Sequence, residues 1–312
     1  MDHKTETTPL HPLRATFGER LQRDVPLARY TAARIGGPAD FLLVANTAND
    51  LANIAIQMWK LGWPFVVIGS GANILVSDAG VRALVIVNRA RQVLLQHGAE
   101  PPTVWAESGA NLGHLARQTV PLGLSGLEWA AGIPGTVGGA VVGNAGAHDS
   151  DTAQSLLMAE ILHRSNKKIT RERWTPEQLK MGYRTSLLKQ NPGKDVVLSA
   201  LFCLKHSTPE AVQSKIDEFT QKRQRTQPPG ASIGSIFKNP ADHFAGQLIE
   251  AAGLKGTRIG DAEISPLHAN FFINHGKASA NDIYQLIQLA HQKVLDTSGI
   301  NLALEVELIG AW

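Results

Sequence analysis

The chain has very little thiol: Cys203 is its single cysteine. A lone cysteine cannot close an intrachain disulfide, and it excludes a cysteine-rich metal site, so no metal is expected and a reducing compartment fits. Long apolar runs are missing as well. No stretch approaches the roughly 18 residues of a membrane span, and the opening MDHKTETTPLHPLRATFGER has no apolar core of signal-peptide length. A cytoplasmic protein with no membrane partner is expected, with its first twenty or so residues loosely ordered. Nor does charge of one sign dominate. Thirty Lys and Arg against 27 Asp and Glu give a formal charge of +3, and the cations are scattered. That distribution fits an anionic small ligand, and no nucleic-acid partner is expected. What remains is an ordinary globular composition, 43% hydrophobic and 18% charged over 312 residues, enough to bury two or three cores.

Periodicity divides the chain. Residues 47–62 read as a helix, with Thr47 and Asp50 at capping-box spacing, Leu51, Ile54, Ala55 and Met58 on one face, and Gly62 as a stop. Strands are predicted at 64–68, 83–87, 103–107, 156–163 and 196–204, with a helix at 111–120. After about residue 206 the pattern changes. Thr208-Pro209-Glu210 opens a charged helix to about Arg225, ended by Gln227-Pro228-Pro229-Gly230. A helix at 244–252, a strand at 270–274, a helix capped by Ser279 and Asp282, and a strand at 303–309 complete the chain. Helices and strands mix without a βαβ rhythm, which points to α+β with two lobes.

Two glycine-rich segments carry the functional information. Ile68-Gly69-Ser70-Gly71-Ala72-Asn73-Ile74 follows a strand but is no Rossmann fingerprint, because Ile74 stands where a third small residue is needed and residues 73–76 look extended. It offers consecutive unobstructed backbone N–H groups suited to a pyrophosphate, or else a plain tight turn. The second segment, from Gly132-Ile133-Pro134-Gly135-Thr136-Val137-Gly138-Gly139-Ala140 to Gly143-Asn144-Ala145-Gly146, places six glycines in fifteen residues. Such density costs folding entropy, and close approach of backbone to a flat or phosphorylated ligand accounts for it. No Lys-Ser/Thr pair follows, so it is not a nucleoside-triphosphate P-loop.

These segments, in order, resemble one family. Arg34-Ile35-Gly36-Gly37-Pro38-Ala39-Asp40, the Gly69 loop, Gly126-Leu127-Glu128 running into the Gly132 segment, and Asn144-Ala145-Gly146-Ala147 are similar to the FAD lobe of the UDP-N-acetylenolpyruvoylglucosamine reductases. Gly182-Tyr183-Arg184, Gln227-Pro228, Gly234-Ser235-Ile236-Phe237-Lys238-Asn239-Pro240, Ala252-Gly253-Leu254-Lys255-Gly256, His268-Ala269-Asn270-Phe271 and Glu305-Val306 are similar to its second lobe. The resemblance spans roughly residues 27–310. It implies an α+β fold with an FAD-binding lobe of the vanillyl-alcohol-oxidase (PCMH) type at 27–206, split into 27–88 and 89–206. An N-terminal extension at 1–26 would precede it, and a smaller substrate-binding domain at 207–312 would follow.

The resemblance also implies the chemistry: FAD takes hydride from NADPH and passes it to the enol ether of UDP-N-acetylenolpyruvoylglucosamine, giving the muramic acid unit of cell-wall peptidoglycan, in a monomer. Carried over residue by residue, Arg184 and Glu305 polarise the enolpyruvyl carboxylate and Ser235 is the proton donor. A guanidinium stabilises negative charge where it develops, and a serine serves as acid only in a closed site facing a strongly basic intermediate. The cofactor set is Arg34, Gly69, Ser70, Gly71, Ala72, Asn73, Ile74, Gly132, Pro134, Gly135, Thr136, Gly138, Gly139, Asn144, Ala145 and Gly146. Tyr183, Arg223, Lys238, Asn239, His268 and Asn270 form the substrate set.

Three departures stand out. Ala72 replaces a common serine, Glu307 replaces a common Arg or Lys, and His148-Asp149 replace an aromatic and a glycine. The short interval from Arg184 to Ser235 resembles the subtype lacking an inserted tyrosine loop. Competing readings are an oxidase on the same FAD lobe and a non-catalytic nucleotide-sugar binder. The match of the second lobe argues against the first, and retention of Arg184, Ser235 and Glu305 against the second.

Overall fold

The structure is a computed structural model describing residues 10–166 and 168–312. Its first sheet joins Gln22–Pro26, Pro38–Ala45, Val81–Asn88 and Phe65–Ile68 in that order, the first pair antiparallel and the others parallel. The helix Ala48–Leu61 covers it. Thr47 Oγ1 accepts from Asp50 N–H, Gly62 caps the other end in the left-handed conformation, and Leu51, Ile54, Ala55 and Met58 are buried. Their opposite wall is a second sheet. Leu162 and Leu198 of that sheet share the helix's core with Leu43, Leu84 and Ile86 of the first, so a single amphipathic helix joins two sheets.

The second sheet is antiparallel, ordered Lys168–Trp174, Leu156–Ser165, Asp195–Cys203, Thr103–Glu107 and Val93–Gln96. Its other face packs on the helices Leu112–Gln118 and Val137–Gly143 through Leu115, Val137, Val141 and Phe202. A third sheet, ordered Ala231–Ser235, Phe271–Asn274, Ala262–Ile264 and Arg258–Ile259, is antiparallel and backed by the helix Ala280–Ser298. Ile283, Leu286, Ile287, Ala290 and Val294 line that helix's buried face, and its Ser279–Asp282 capping box forms as the spacing predicts. The long helix Pro209–Thr226 connects the second and third sheets and is buried only at Val212 and Ile216.

Three expectations are corrected. Of the N-terminal residues expected to be loosely ordered, 1–9 lie outside the described residues, whereas Leu10–Phe17 is a helix whose Leu13 is fully buried in the first core, followed by the edge strand Gln22–Pro26; Leu13 and Phe17, four apart, make one apolar stripe. The second glycine segment is not all loop. From Val137 it turns into a helix capped by Thr136, whose Oγ1 accepts from Gly139 N–H at 3.4 Å. The closing strand is Glu307–Ile309 alone, because the segment divides its hydrogen bonds between two partners: Leu304 bridges Phe237, just past the first strand of the third sheet, and residues 307–309 pair in parallel with Ile74–Val76. That division places the C-terminus beside the first glycine loop. Among the described residues no helix is long and apolar enough to cross a membrane.

Candidate active site

The two glycine segments touch. Thr136 stands so close to Gly69 that a Cβ there would lie 2.4 Å from Thr136 Oγ1. Gly71 has φ +64° and would place a Cβ 2.1 Å from the Tyr30 carbonyl oxygen, so protein packing alone demands glycine there. The N–H groups of Ser70, Gly71, Ala72 and Asn73 find no protein acceptor among the described residues, and the Ser70 hydroxyl is enclosed without a partner. Successive open N–H groups in one turn form a concavity suited to an anion. Across the seam, Gly139 has ordinary helical geometry and would meet only Thr136 Oγ1, at 3.6 Å, and a Cβ on Gly143 would meet nothing within 4 Å. No packing within the protein explains either glycine. The seam is therefore a cradle of free N–H groups, one orphan hydroxyl and unfilled backbone, which is what a dinucleotide pyrophosphate requires.

Arg184, Ser235 and Glu305 come from three parts of the chain. Arg184 lies in a tight turn closed by the Gly182–Thr185 pair, at φ +55°, a left-handed conformation costing a non-glycine residue about 1 kcal/mol or more. Its Nη2 donates to Gly146 O at 2.7 Å, and its Nε lies 2.9 Å from Glu305 Oε1, the side chains being 24% and 15% exposed. The Nε–H is not aimed along a hydrogen-bond direction, so the contact is an ion pair whose donor is still open. Glu305 is fixed by its backbone: its N–H donates to Ile236 O at 2.8 Å, next to Ser235, and its carbonyl accepts from Asn73 Nδ2 at 3.1 Å. Serine, glutamate and first glycine loop are thus neighbours. Burial pushes the Glu305 carboxyl pKa up, against the pull of Arg184, Lys189 and Lys238.

Other sequence-derived side chains fall into four groups. Tyr183 Oη accepts from Asn239 N–H at 3.3 Å, bringing the Arg184 turn to the Ser235 loop, and Lys238 is held beside it by its N–H to Ala303 O at 2.8 Å. Arg223, on the long helix, lies against Gly132, where a Cβ would sit 2.6 Å from its Cδ, and burial lowers its pKa. With Thr220, Gln227 and Pro228 it lines a cavity of about 350 Å³. A cavity of about 390 Å³ at Asn46, Arg89, Arg91 and Glu107 includes none of the sequence-derived residues. Arg34 is exposed and left-handed, φ +58°. His268 accepts from Asn270 N–H at 3.3 Å through Nδ1 and stands edge-on to Phe271, its pKa lowered by burial.

Two of the expected side chains already have partners within the protein. Asn144, expected at the cofactor, is 2% exposed and its amide donates to Asp151 Oδ2 and the Gly182 carbonyl, both at 3.0 Å, while its Oδ1 accepts from Ala153 N–H. Asn270, expected at the substrate, is 3% exposed and pairs with both backbone groups of Phe237, at 2.9 and 2.8 Å. Both side chains are occupied as braces, one for the Arg184 turn and one for the Ser235 loop. No role was read for Lys189, whose pKa burial lowers and the Glu307 and Glu305 carboxylates raise. Its signal was faint: a lysine five residues after Arg184, on a short helix. Of the departures, His148 and Asp149 form a two-residue turn at φ +55° and +58°, and His148 stacks on Phe219 with centroids 4.0 Å apart.

Comparison with known proteins bears on this arrangement. The FAD binding domain family matches residues 39–169, and the family described as UDP-N-acetylenolpyruvoylglucosamine reductase, C-terminal domain, matches residues 224–309. The UDP-N-acetylenolpyruvoylglucosamine reductase of Rubrobacter xylanophilus is 44% identical over 287 residues, covering 92% of this chain and 94% of its own. That of Chloroflexus aggregans is 40% identical over 93% of this chain and 97% of its own. The chain belongs to the UDP-N-acetylenolpyruvoylglucosamine reductase family. The crystal structure of the Thermus caldophilus reductase is similar throughout, with a TM-score of 0.78, 34% identity, and coverage of 93% of this chain and 99% of that one. The protein is accordingly an FAD-dependent oxidoreductase of α+β fold, with an FAD binding domain over residues 39–169. The residues present fit that cofactor: the orphan Ser70 hydroxyl, the free N–H groups of the first loop and the open space at Gly139 are features a bound pyrophosphate would satisfy.

Proposed function

We propose that the protein reduces UDP-N-acetylenolpyruvoylglucosamine to UDP-N-acetylmuramate, a step of peptidoglycan precursor synthesis, in the cytoplasm and as a monomer. The observation that carries this reading is the Arg184–Glu305 ion pair, 2.9 Å, set against the backbone of the Ser235 loop. Residues 27–206 hold FAD and 207–312 the substrate, with the edge strand Gln22–Pro26 completing the first sheet. Bound FAD supplies the hydride, which comes from NADPH.

The protein's own part is binding, electrostatics and one proton. Arg184 takes the enolpyruvyl carboxylate and stabilises the negative charge that develops as C3 is reduced, with its geometry fixed beforehand by Gly146 O and Glu305. Ser235 donates the proton to C2. Its strand pairs with Phe271 and the following residue is clamped by Asn270 and Glu305, so the backbone that carries the hydroxyl is held in place. Lys238 and Asn239 lie one turn further on and meet the phosphates, and Tyr183 bridges the two walls.

Purified protein is tested by its flavin spectrum and by NADPH oxidation with and without UDP-N-acetylenolpyruvoylglucosamine. Absence of FAD, or NADPH consumption indifferent to that substrate, refutes the reading. Ser235→Ala leaves reduction of the flavin by NADPH intact and slows the second half-reaction by about a hundredfold or more. Equal slowing of both halves removes Ser235 as the donor.

A further inference from the structure

Glu305 stands where the chain crosses from one sheet to another. Upstream of it, Ala303 O accepts from Lys238 N–H at 2.8 Å and Leu304 bridges Phe237; downstream, residues 307–309 pair with Ile74–Val76. The second ladder opens with Glu307 N–H donating to Asn73 O at 3.1 Å. One contact to the first glycine loop lies upstream of that rung, and a side chain makes it: Asn73 Nδ2 donates to Glu305 O at 3.1 Å. Asn73 therefore holds the crossing at two points, through its carbonyl and through its amide.

A residue has two soft backbone dihedrals, and both are set once the planar peptide groups on either side of its Cα are held. For Glu305 the group before Cα hangs from Ile236 O through the Glu305 N–H, at 2.8 Å. The group after it is held on one edge by Val306 N–H, a longer 3.3 Å bond to the same oxygen, and on the other by Asn73 Nδ2. Without the Asn73 amide both groups hang from a single acceptor, about which they can swing together. With it the Cα–Cβ direction is fixed, and the carboxylate reaches Arg184 at 2.9 Å. An asparagine that served only its own turn would bond to backbone within a few residues, whereas this amide reaches 232 positions along the chain. The Asn73 N–H is meanwhile one of the four open donors of the first glycine loop. One half-buried residue thus belongs to the cofactor cradle through its backbone and to the Arg184–Glu305 pair through its side chain.

We propose that Asn73 is a positioning residue for reduction of the substrate: its side-chain amide fixes Glu305, and with it the Arg184–Glu305 pair, against the first glycine loop. This rests on the reading of Glu305 as a catalytic residue given above. Loss of the amide misplaces the carboxylate without removing it, so the half-reaction that uses the pair suffers more than reduction of the flavin by NADPH, which does not.

Flavin-saturated enzyme is reduced with NADPH and then mixed with UDP-N-acetylenolpyruvoylglucosamine, and flavin absorbance follows each half-reaction. Asn73→Ala is expected to slow the second about tenfold more than the first. Equal slowing of both, or of neither, overturns the proposal. Asn73→Asp covers an alanine variant that fails to fold: it keeps the size, sets an acceptor against the Glu305 carbonyl, and is expected to slow the second half-reaction at least as much, so wild-type behaviour in it overturns the proposal too. Combination with Glu305→Gln separates positioning from general damage. Glu305→Gln alone is expected to slow the second half-reaction about a hundredfold, and adding Asn73→Ala to slow it by less than about twofold more. A further tenfold loss means that Asn73 does not act through Glu305, and overturns the proposal. A readout independent of turnover is hydrogen exchange of amides 305–307, expected to quicken about two- to fivefold in Asn73→Ala while the helix Ala280–Ser298 is unchanged; equal exchange in variant and wild type counts against the clamp. If Glu305→Gln reduces the substrate as fast as the wild type, the reading of Glu305 has failed and the proposal with it; if it is slow and the Asn73 variants are not, only the role of Asn73 has.

Discussion

The two glycine loops look alike in sequence and differ in what fills the space beside them. In the first, Gly71 is pressed against the Tyr30 carbonyl and Gly69 against Thr136, so much of its glycine content is a requirement of the protein's own packing. In the second, Gly132, Gly138 and Gly146 are packed against Arg223, Ser108 and Ser150 in the same way, but Gly139 and Gly143 sit in a helix, where glycine is a poor choice, and have almost nothing next to them. A residue that weakens its own helix and packs against no neighbour serves something outside the chain. Glycine density alone is therefore ambiguous, and the contact of an imagined Cβ separates the structural glycine from the ligand-facing one.

The largest effect expected is at Gly71. Gly71→Ala forces a Cβ to within 2.1 Å of a backbone oxygen at φ +64°, and costs about 3 kcal/mol or more, read as a collapse in soluble yield or melting temperature. A variant that folds normally would erase the contrast between the loops. Gly139→Ala has the opposite sign for the fold. The apoprotein should melt at the same temperature or higher, by up to about 1 kcal/mol of helix propensity, while the flavin is lost more readily on dilution. Wild-type flavin affinity in that variant would leave Gly139 without a ligand-facing role. The smallest effect is at Ser70. Ser70→Ala removes an orphan hydroxyl, so the apoprotein's stability should hold and FAD binding weaken by about 1 kcal/mol, measured by flavin fluorescence titration. An unaltered dissociation constant would show that the backbone N–H groups act alone.

Helices were the most legible part of the fold because their signals are local. Thr47 with Gly62, Thr208 with Pro209, and Ser279 with Asp282 each mark an end that the structure reproduces within one or two residues. Edge strands such as Gln22–Pro26, Val93–Gln96 and Lys168–Trp174 were missed. They are largely exposed and carry little alternation, and their pairing depends on a neighbour far along the chain. The closing strand was read too long for the same reason: nothing local to residues 303–309 says that Leu304 and Glu307 answer to different sheets.

At the site, residue types and their order were legible, and partners were not. The sequence by itself determined the capped helices, the two glycine segments and the ordered set of motifs that resemble one reductase family. Only the tertiary structure decided that the Asn144 and Asn270 side chains are engaged as braces and that Thr136 seals the first loop to the second. The physical reason is range. Caps, turns and periodicity are set by residues within about four positions of one another, whereas an ion pair such as Arg184–Glu305 depends on how separate sheets pack, and packing leaves no mark in any short window of sequence.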